Sequence, residues 1–175
     1  NLSLLFLLPG VCMAVGCRSL TPFGPSERWD VGAVPYQFEY AGAERTTISL
    51  TGERWSAIRK EFADAGDAPA ERRAIAHSVG LCEQAAGDQT PSWQDEPRSN
   101  APPCVKGQLD CIAESENTTT ILLLFREHSL LRFHDVLRPV YRSQALVFDP
   151  HRTALIRERV SGVVYAVDSW VGKNG

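Results

Sequence analysis

The stretch DPHRTALIRERVSGVVYAVDSW, Asp149 to Trp170, decides the fold. Its second half, VVYAVD, is built of β-branched and aromatic residues and predicts a strand. Its first half has two readings. Asp149 followed by Pro150 is a good helix start, with the proline in the first turn. Read instead as a strand, the same segment turns at Ser161 and Gly162 and runs back along the second half as a hairpin. The hairpin brings His151 and Asp168 to one end of a sheet, whereas the helix carries His151 away from Asp168.

Upstream of this stretch lies ALVFD, a further strand, preceded by LLRFHDVLRPVYRS. Before them, GQLDCIAESENTTTILLLF spans Gly107 to Phe125 and predicts a helix from Cys111 to about Glu127. Its mostly apolar run implies burial on several sides, hence a central helix. Asn117 heads an NTT triplet that fits a glycosylation acceptor, but a buried helix is the wrong place for one. The segment leading into this helix, DQTPSWQDEPRSNAPPCVK, is crowded with Pro, Asp, Ser and Asn and reads as a long loop. Trp93 within it is out of character for a linker.

Two earlier helices carry clear punctuation. Trp55, Ile58 and Phe62 share a face behind a Thr51 cap, and Gly66 stops the pattern. Pro69 suits a first turn, Ile75, Val79 and Cys82 share the next face, and Gly87 ends it. Before these, VPYQFEY alternates Tyr36, Phe38 and Tyr40 on one face, and TTISL is β-branched, so a small sheet begins there. Helices and strands in this order predict an α+β domain.

The chain has 175 residues and a formal net charge of −3, enough for one domain of ordinary size. Its arginines are scattered rather than gathered into a stripe, which argues against nucleic acid as a partner. The opening NLSLLFLLPGVCMAVGC is an uncharged apolar run, too short to span a bilayer, that ends in small residues before Cys17. It reads as an export signal, and AVGC resembles the bacterial lipoprotein signal, which implies lipidation at Cys17. An ordinary cleaved signal, an uncleaved anchor or a start at Met13 would fit the same residues. The expected organisation is therefore a leader over 1–17, a Pro- and Ser-rich tether over 18–28 and one domain over 29–175, held at the cell envelope on the periplasmic face of a membrane by the lipid, or secreted.

In such a compartment thiols are usually paired. Cys82, Cys104 and Cys111 remain after the leader, so a Cys82–Cys104 disulfide would leave Cys111 free. No CxxC pair or His/Cys cluster has metal-ligand spacing, and no phosphate loop, HExxH pair or GxSxG elbow occurs. No metal and no cofactor are expected.

Cys111 is the residue placed for chemistry, because the unpaired amides and dipole at a helix start favour a thiolate. A thiol nucleophile also needs a base and a group that orients the base. Of the 4 histidines, His77 lies mid-helix, His128 sits where it would meet C-terminal carbonyls, and His134 reads as surface or packing. His151 differs, because the hairpin reading gives it Asp168 as a partner. Beside this stands the plainer reading of Cys111 as an inert core cysteine, the common fate of a lone one.

These residues resemble a family. GQLDCIAESENTTTILLLF is similar to the nucleophile helix of the transglutaminase-like cysteine enzymes, above all the bacterial transglutaminase-like cysteine proteinases, in which a Gly and an Asp precede the cysteine. HRTALIRERVSGVVYAVDSW resembles their second half, where a His starts one strand and an Asp ends the next, and the Trp93 loop resembles their tryptophan-bearing approach. The likeness covers about half the chain, from Asp88 to Trp170. It implies a papain/transglutaminase-like fold with the nucleophile helix packed on a small antiparallel sheet. Cys111 would be nucleophile, His151 general base and acid, and Asp168 its orienting group, with Gln108 or Trp93 beside the Cys111 amide as oxyanion donors. The substrate would be a peptide or protein amide, cleaved or transferred through a thioester. Ile112 replaces the family's acidic residue after the cysteine, and Arg152 follows the histidine, where it would either depress the pKa of the imidazole or bind a carboxylate substrate. The open alternative is a non-catalytic envelope lipoprotein that uses the same fold for binding or as a scaffold.

Overall fold

Alternation makes the first strand: Val34 and Tyr36 turn inward while Pro35 stays outside, giving β1 (Val34–Phe38). It pairs antiparallel with β2 (Glu44–Ile48), with Val34 opposite Ile48. Tyr40, expected on the Tyr36 face, falls in the tight turn between the strands and is 39% exposed, because positive φ at Glu39 and Ala41 breaks the alternation. α1 (Glu53–Ala63) buries Ile58 and Phe62. Its cap is Gly52, at φ 68°, and not Thr51, whose hydroxyl pairs with Ser49. α2 (Ala68–Gly87) starts on Asp67, whose carboxylate accepts from the Ala70 amide at 2.7 Å, and turns Ile75, Val79 and Cys82 into the core.

The long loop is partly ordered by a short 3-10 turn at Pro91–Gln94. α3 (Cys111–Glu127) follows, buried from Ile121 to Phe125 without a break. It packs on β1, on α2, and on a second sheet made of β3 (His134–Gln144), β4 (Val147–Glu158) and β5 (Val164–Val167) in that order. All pairings are antiparallel. The molecule, a computed structural model, describes residues 22–23, 29–97, 105–144 and 147–169, with the backbone alone for 142–144 and 147–150. The leader, Cys17 and Cys104 lie outside the described residues. Of the segment expected as a tether, Pro22 and Phe23 are described; Pro22 bridges to Leu137, and Phe23 takes the Arg138 guanidinium over its ring at 4.8 Å.

The ambiguous half of the hairpin is a strand. Four consecutive buried residues, Thr153 to Ile156, suit a middle strand covered on both faces and would not fit one apolar stripe of a helix. Pro150, the first-turn proline of the helix reading, sits instead in the stretch where the β3–β4 register shifts, and Pro139 sits in the other shift. Neither can donate to a ladder, so both fall where the ladder is already interrupted. Gly162, at φ 70°, closes the hairpin by donating to the Glu158 carbonyl at 2.9 Å.

A polar centre with a fully buried heart joins α2 to the sheet. Glu71 and His134 are 0% exposed, and Glu71 accepts from His134 Nδ1 at 2.8 Å and from the amides of Arg132 at 2.6 Å and Phe133 at 3.0 Å. Arg72 Nη1 lies 3.3 Å from His134 Nε2 and 2.8 Å from a Glu158 oxygen, with its guanidinium 4.2 Å above the Tyr165 ring. A guanidinium can only donate, so His134 accepts at Nε2 and carries its proton at Nδ1. His134 is thus packing, committed to the fold.

Candidate active site

Cys111 opens α3 because Asp110 caps it: the Asp110 carboxylate accepts from the Ala113 amide at 2.9 Å. Cys111 is a partly exposed free thiol, whereas Cys82 is a free thiol fully buried in the core. Burial, with Glu83 alongside, pushes the Cys82 thiol far above the ordinary range. Replacing Asp110 with alanine is expected to cost about 1 kcal/mol of stability through the lost cap, measurable as a lowered urea midpoint.

The approach to Cys111 is laced to the 3-10 turn. Gly107, at φ 78°, passes so close that a Cβ there would lie 2.2 Å from the Pro91 carbonyl oxygen. Gln108 donates to the Gln94 carbonyl and accepts from the Glu96 amide at 3.3 Å, and Leu109 donates to Asp95 Oδ1 at 2.8 Å. The Gln108 carboxamide therefore braces the loop on either side of Asp95, and Trp93 stands 69% exposed upon it.

At the other side of the site, the β4–β5 pairing runs to Ala154 opposite Val167, so His151 and Asp168 project just beyond its end. His151 Nε2 lies 2.7 Å from Asp168 Oδ2, with the two side chains 15% and 14% exposed. A carboxylate accepts, so the proton of the imidazole sits on Nε2, and Nδ1, which is buried, is the ring nitrogen left with a lone pair. Two contacts tie this pair to the first turns of α3. Arg152, next to His151, donates to Ser115 Oγ at 3.2 Å and pairs with Glu116. Ser169, next to Asp168, meets Thr118 Oγ1 at 3.2 Å. The opening turns of the Cys111 helix and the His151–Asp168 pair are thus stitched side by side.

An acidic layer lies beneath, which the sequence reading passed over. Glu114, one turn after Cys111, is 6% exposed, and burial followed by the charges of Asp95, Glu83, Asp168 and Cys111 raises its carboxyl well above the carboxylate range. Burial raises Asp95 to about 6. Tyr36 and Glu83 complete the layer, and with Glu114 they line a small cavity that Thr118 and Ser169 also line. The signal in the sequence was Glu114 and Asn117 in the polar run ESENTTT that precedes the apolar half of a central helix. Asn117 is explained by β1, since its carboxamide exchanges hydrogen bonds of 2.8 Å and 2.7 Å with the Gln37 backbone.

The remaining histidines lie elsewhere. His77 is exposed and pairs with Glu61 at 3.0 Å; His128 ends α3 and meets the Trp55 ring edge-on at 4.9 Å. Among the described residues no group of three or more His, Cys, Asp or Glu side chains is arranged to hold a metal ion, and no helix is long and apolar enough to cross a membrane. No protein-family model, curated protein or solved structure matches the chain.

Proposed function

We propose that this α+β chain is a thiol enzyme of the papain/transglutaminase-like kind, exported and lipid-anchored through Cys17, that attacks peptide or protein amides through Cys111. The observation that carries the reading is the 2.7 Å hydrogen bond between His151 and Asp168, stitched by Arg152 and Ser169 to the turns that Cys111 opens. In the reaction the Cys111 proton passes to His151 Nδ1 and the sulfur adds to the amide carbon, while the carbonyl π pair moves onto oxygen. The Cys111 backbone amide, unpaired at the helix start, donates to that oxygen. Collapse breaks the C–N bond, and the amine leaves with the proton from the imidazolium. Water or a second amine then adds to the thioester, gives its proton to His151, and expels the sulfur, which takes the proton back. Asp168 holds the tautomer throughout. Gln108 contributes by keeping the loop in place, and exposed Trp93 offers an apolar face to substrate.

The two thiols that are free among the described residues make an internal comparison. On brief treatment of the native full chain with iodoacetamide, peptide-resolved mass spectrometry should find Cys111 alkylated faster than glutathione at the same pH, and Cys82 unmodified. A Cys111 rate no greater than that of glutathione would sink the reading and favour the binding or scaffold role.

A further inference from the structure

Part of the segment expected as a tether is seated on the domain it was expected to hold. Pro22 bridges to Leu137 in antiparallel sense, and the Phe23 amide donates to the Val136 carbonyl at 3.3 Å, so the two residues cover the outer edge of β3. Two arginines close over Phe23. Arg126, in the last turn of α3, donates to the Phe23 carbonyl at 3.0 Å, and Arg138, exposed on β3, lies with its guanidinium 4.8 Å from the centre of the ring. The ring itself packs against the apolar core. Backbone, ring and carbonyl are each held, and a terminal segment is fixed only when it is tied down in this way.

A docked Phe23 shortens the reach of an anchor. Five residue steps separate Cys17 from Pro22 and extend to at most about 18 Å, against about 40 Å if the whole of 18–28 were slack. We propose that Pro22 and Phe23 make the anchor a short leash, so that lipid on Cys17 holds the docked edge of β3, with the Arg126 end of α3, against the bilayer surface. This rests on the lipidation reading of Cys17 and not on the chemistry at Cys111. Charge agrees with a lipid partner. Arg138 is a cation at the docked edge, Arg126 is balanced by Glu127 at 2.8 Å, and toward the start of β3 Arg157 and Arg159 share one acid, Asp135. The strand edge is therefore net basic on a chain of formal net charge −3, which suits anionic headgroups. Cys111 opens α3 15 residues before Arg126, about 22 Å along the helix axis. A thiol held at that distance from the leashed end acts on amides of chains that come to the membrane surface.

The test places the full-length protein in nanodiscs of phosphatidylethanolamine and phosphatidylglycerol that carry a gadolinium headgroup lipid. Mass spectrometry reads the Cys17 peptide, and NMR reads the paramagnetic relaxation of backbone amides. A variant with about ten Gly and Ser residues inserted between Ser19 and Leu20 lengthens the leash and leaves the contacts of Phe23 in place. In the wild type Cys17 should be acylated, and the amides of Phe23, Arg126 and Arg138 should relax several-fold faster than those of Trp93 and Cys111. In the insertion variant that difference should be lost. Acylated Cys17 with equal relaxation at the two ends of α3, or a difference that the insertion leaves intact, would overturn the leash while the anchor stands. Unmodified Cys17 would remove anchor and leash together, and the alkylation rate of Cys111 would still decide the enzyme reading.

Discussion

Replacing His151 with alanine is expected to slow alkylation of Cys111 at neutral pH, and amide turnover with it, by about 100- to 10,000-fold. The thiol reacts as its anion, and the proposed route for its proton is His151 Nδ1, fixed in tautomer by the 2.7 Å bond from Nε2 to Asp168. Asp168→Asn should act in the same direction, because a carboxamide can present its NH2 to Nε2 and turn the ring's lone pair away from the thiol. Cys111→Ala sets the zero of the experiment. None of the three should unfold the protein, since all three side chains stand at the edge of the fold rather than in its apolar core. The measurement is the second-order alkylation rate, by mass spectrometry of the Cys111 peptide. A rate that His151→Ala leaves unchanged would count against the histidine as base.

The largest effect on stability is expected at Glu71, far from the chemistry. Glu71→Ala should lower the free energy of unfolding by about 3–5 kcal/mol, the usual consequence of removing one member of a buried ionic network. Three donors lose their acceptor at once: His134 Nδ1 and the amides of Arg132 and Phe133. Arg72 then faces His134 with less negative charge to offset it. Glu71→Gln should also destabilise, since its NH2 would confront donors. The pH profile identifies the cause. Burial by itself would raise the Glu71 carboxyl, but the bonds from His134 and the two amides outweigh it and hold the group below the ordinary range. Such a group contributes stability that is full above its unfolded value of about 4.3 and is lost as pH falls through the lower folded value. Urea unfolding should therefore show a wild-type loss below about pH 4 that Glu71→Gln lacks. If the variants unfold at the wild-type urea concentration, the network is not a determinant of stability.

How far the sequence could be read depended on how local each signal was. The span of α3 from Cys111 to Glu127 was legible because Asp110 is a side-chain cap and the apolar run supplies its own boundary. The second helix was legible for the same reason, through Pro69 and the Ile75, Val79 and Cys82 face. Thr51 misled because the helix begins one residue later than the pattern implied, behind Gly52 at a φ of 68° that suits glycine, while the Thr51 hydroxyl is turned to Ser49. Tyr40 misled because period-two alternation says nothing about where a strand stops, and a turn with positive φ stops this one.

His134 and Glu71 lie 63 residues apart, so no periodicity links them, and the buried cluster exists only once α2 is laid against β3. Asp95 and Glu114 are separated by the loop, so their place in one acidic layer could not be recognised from their spacing. The sequence by itself determined the nucleophile candidate, its helix and the strand that carries Asp168, because each is set by caps and side-chain pattern within a few turns of chain. The strand at His151 was decided only by tertiary structure. Its residues suit helix and strand alike, and what selects the strand is the burial of Thr153 to Ile156 between β3 and β5, with α3 laid against the sheet. Pairing on both edges satisfies the backbone there, and it is that pairing which carries His151 to Asp168.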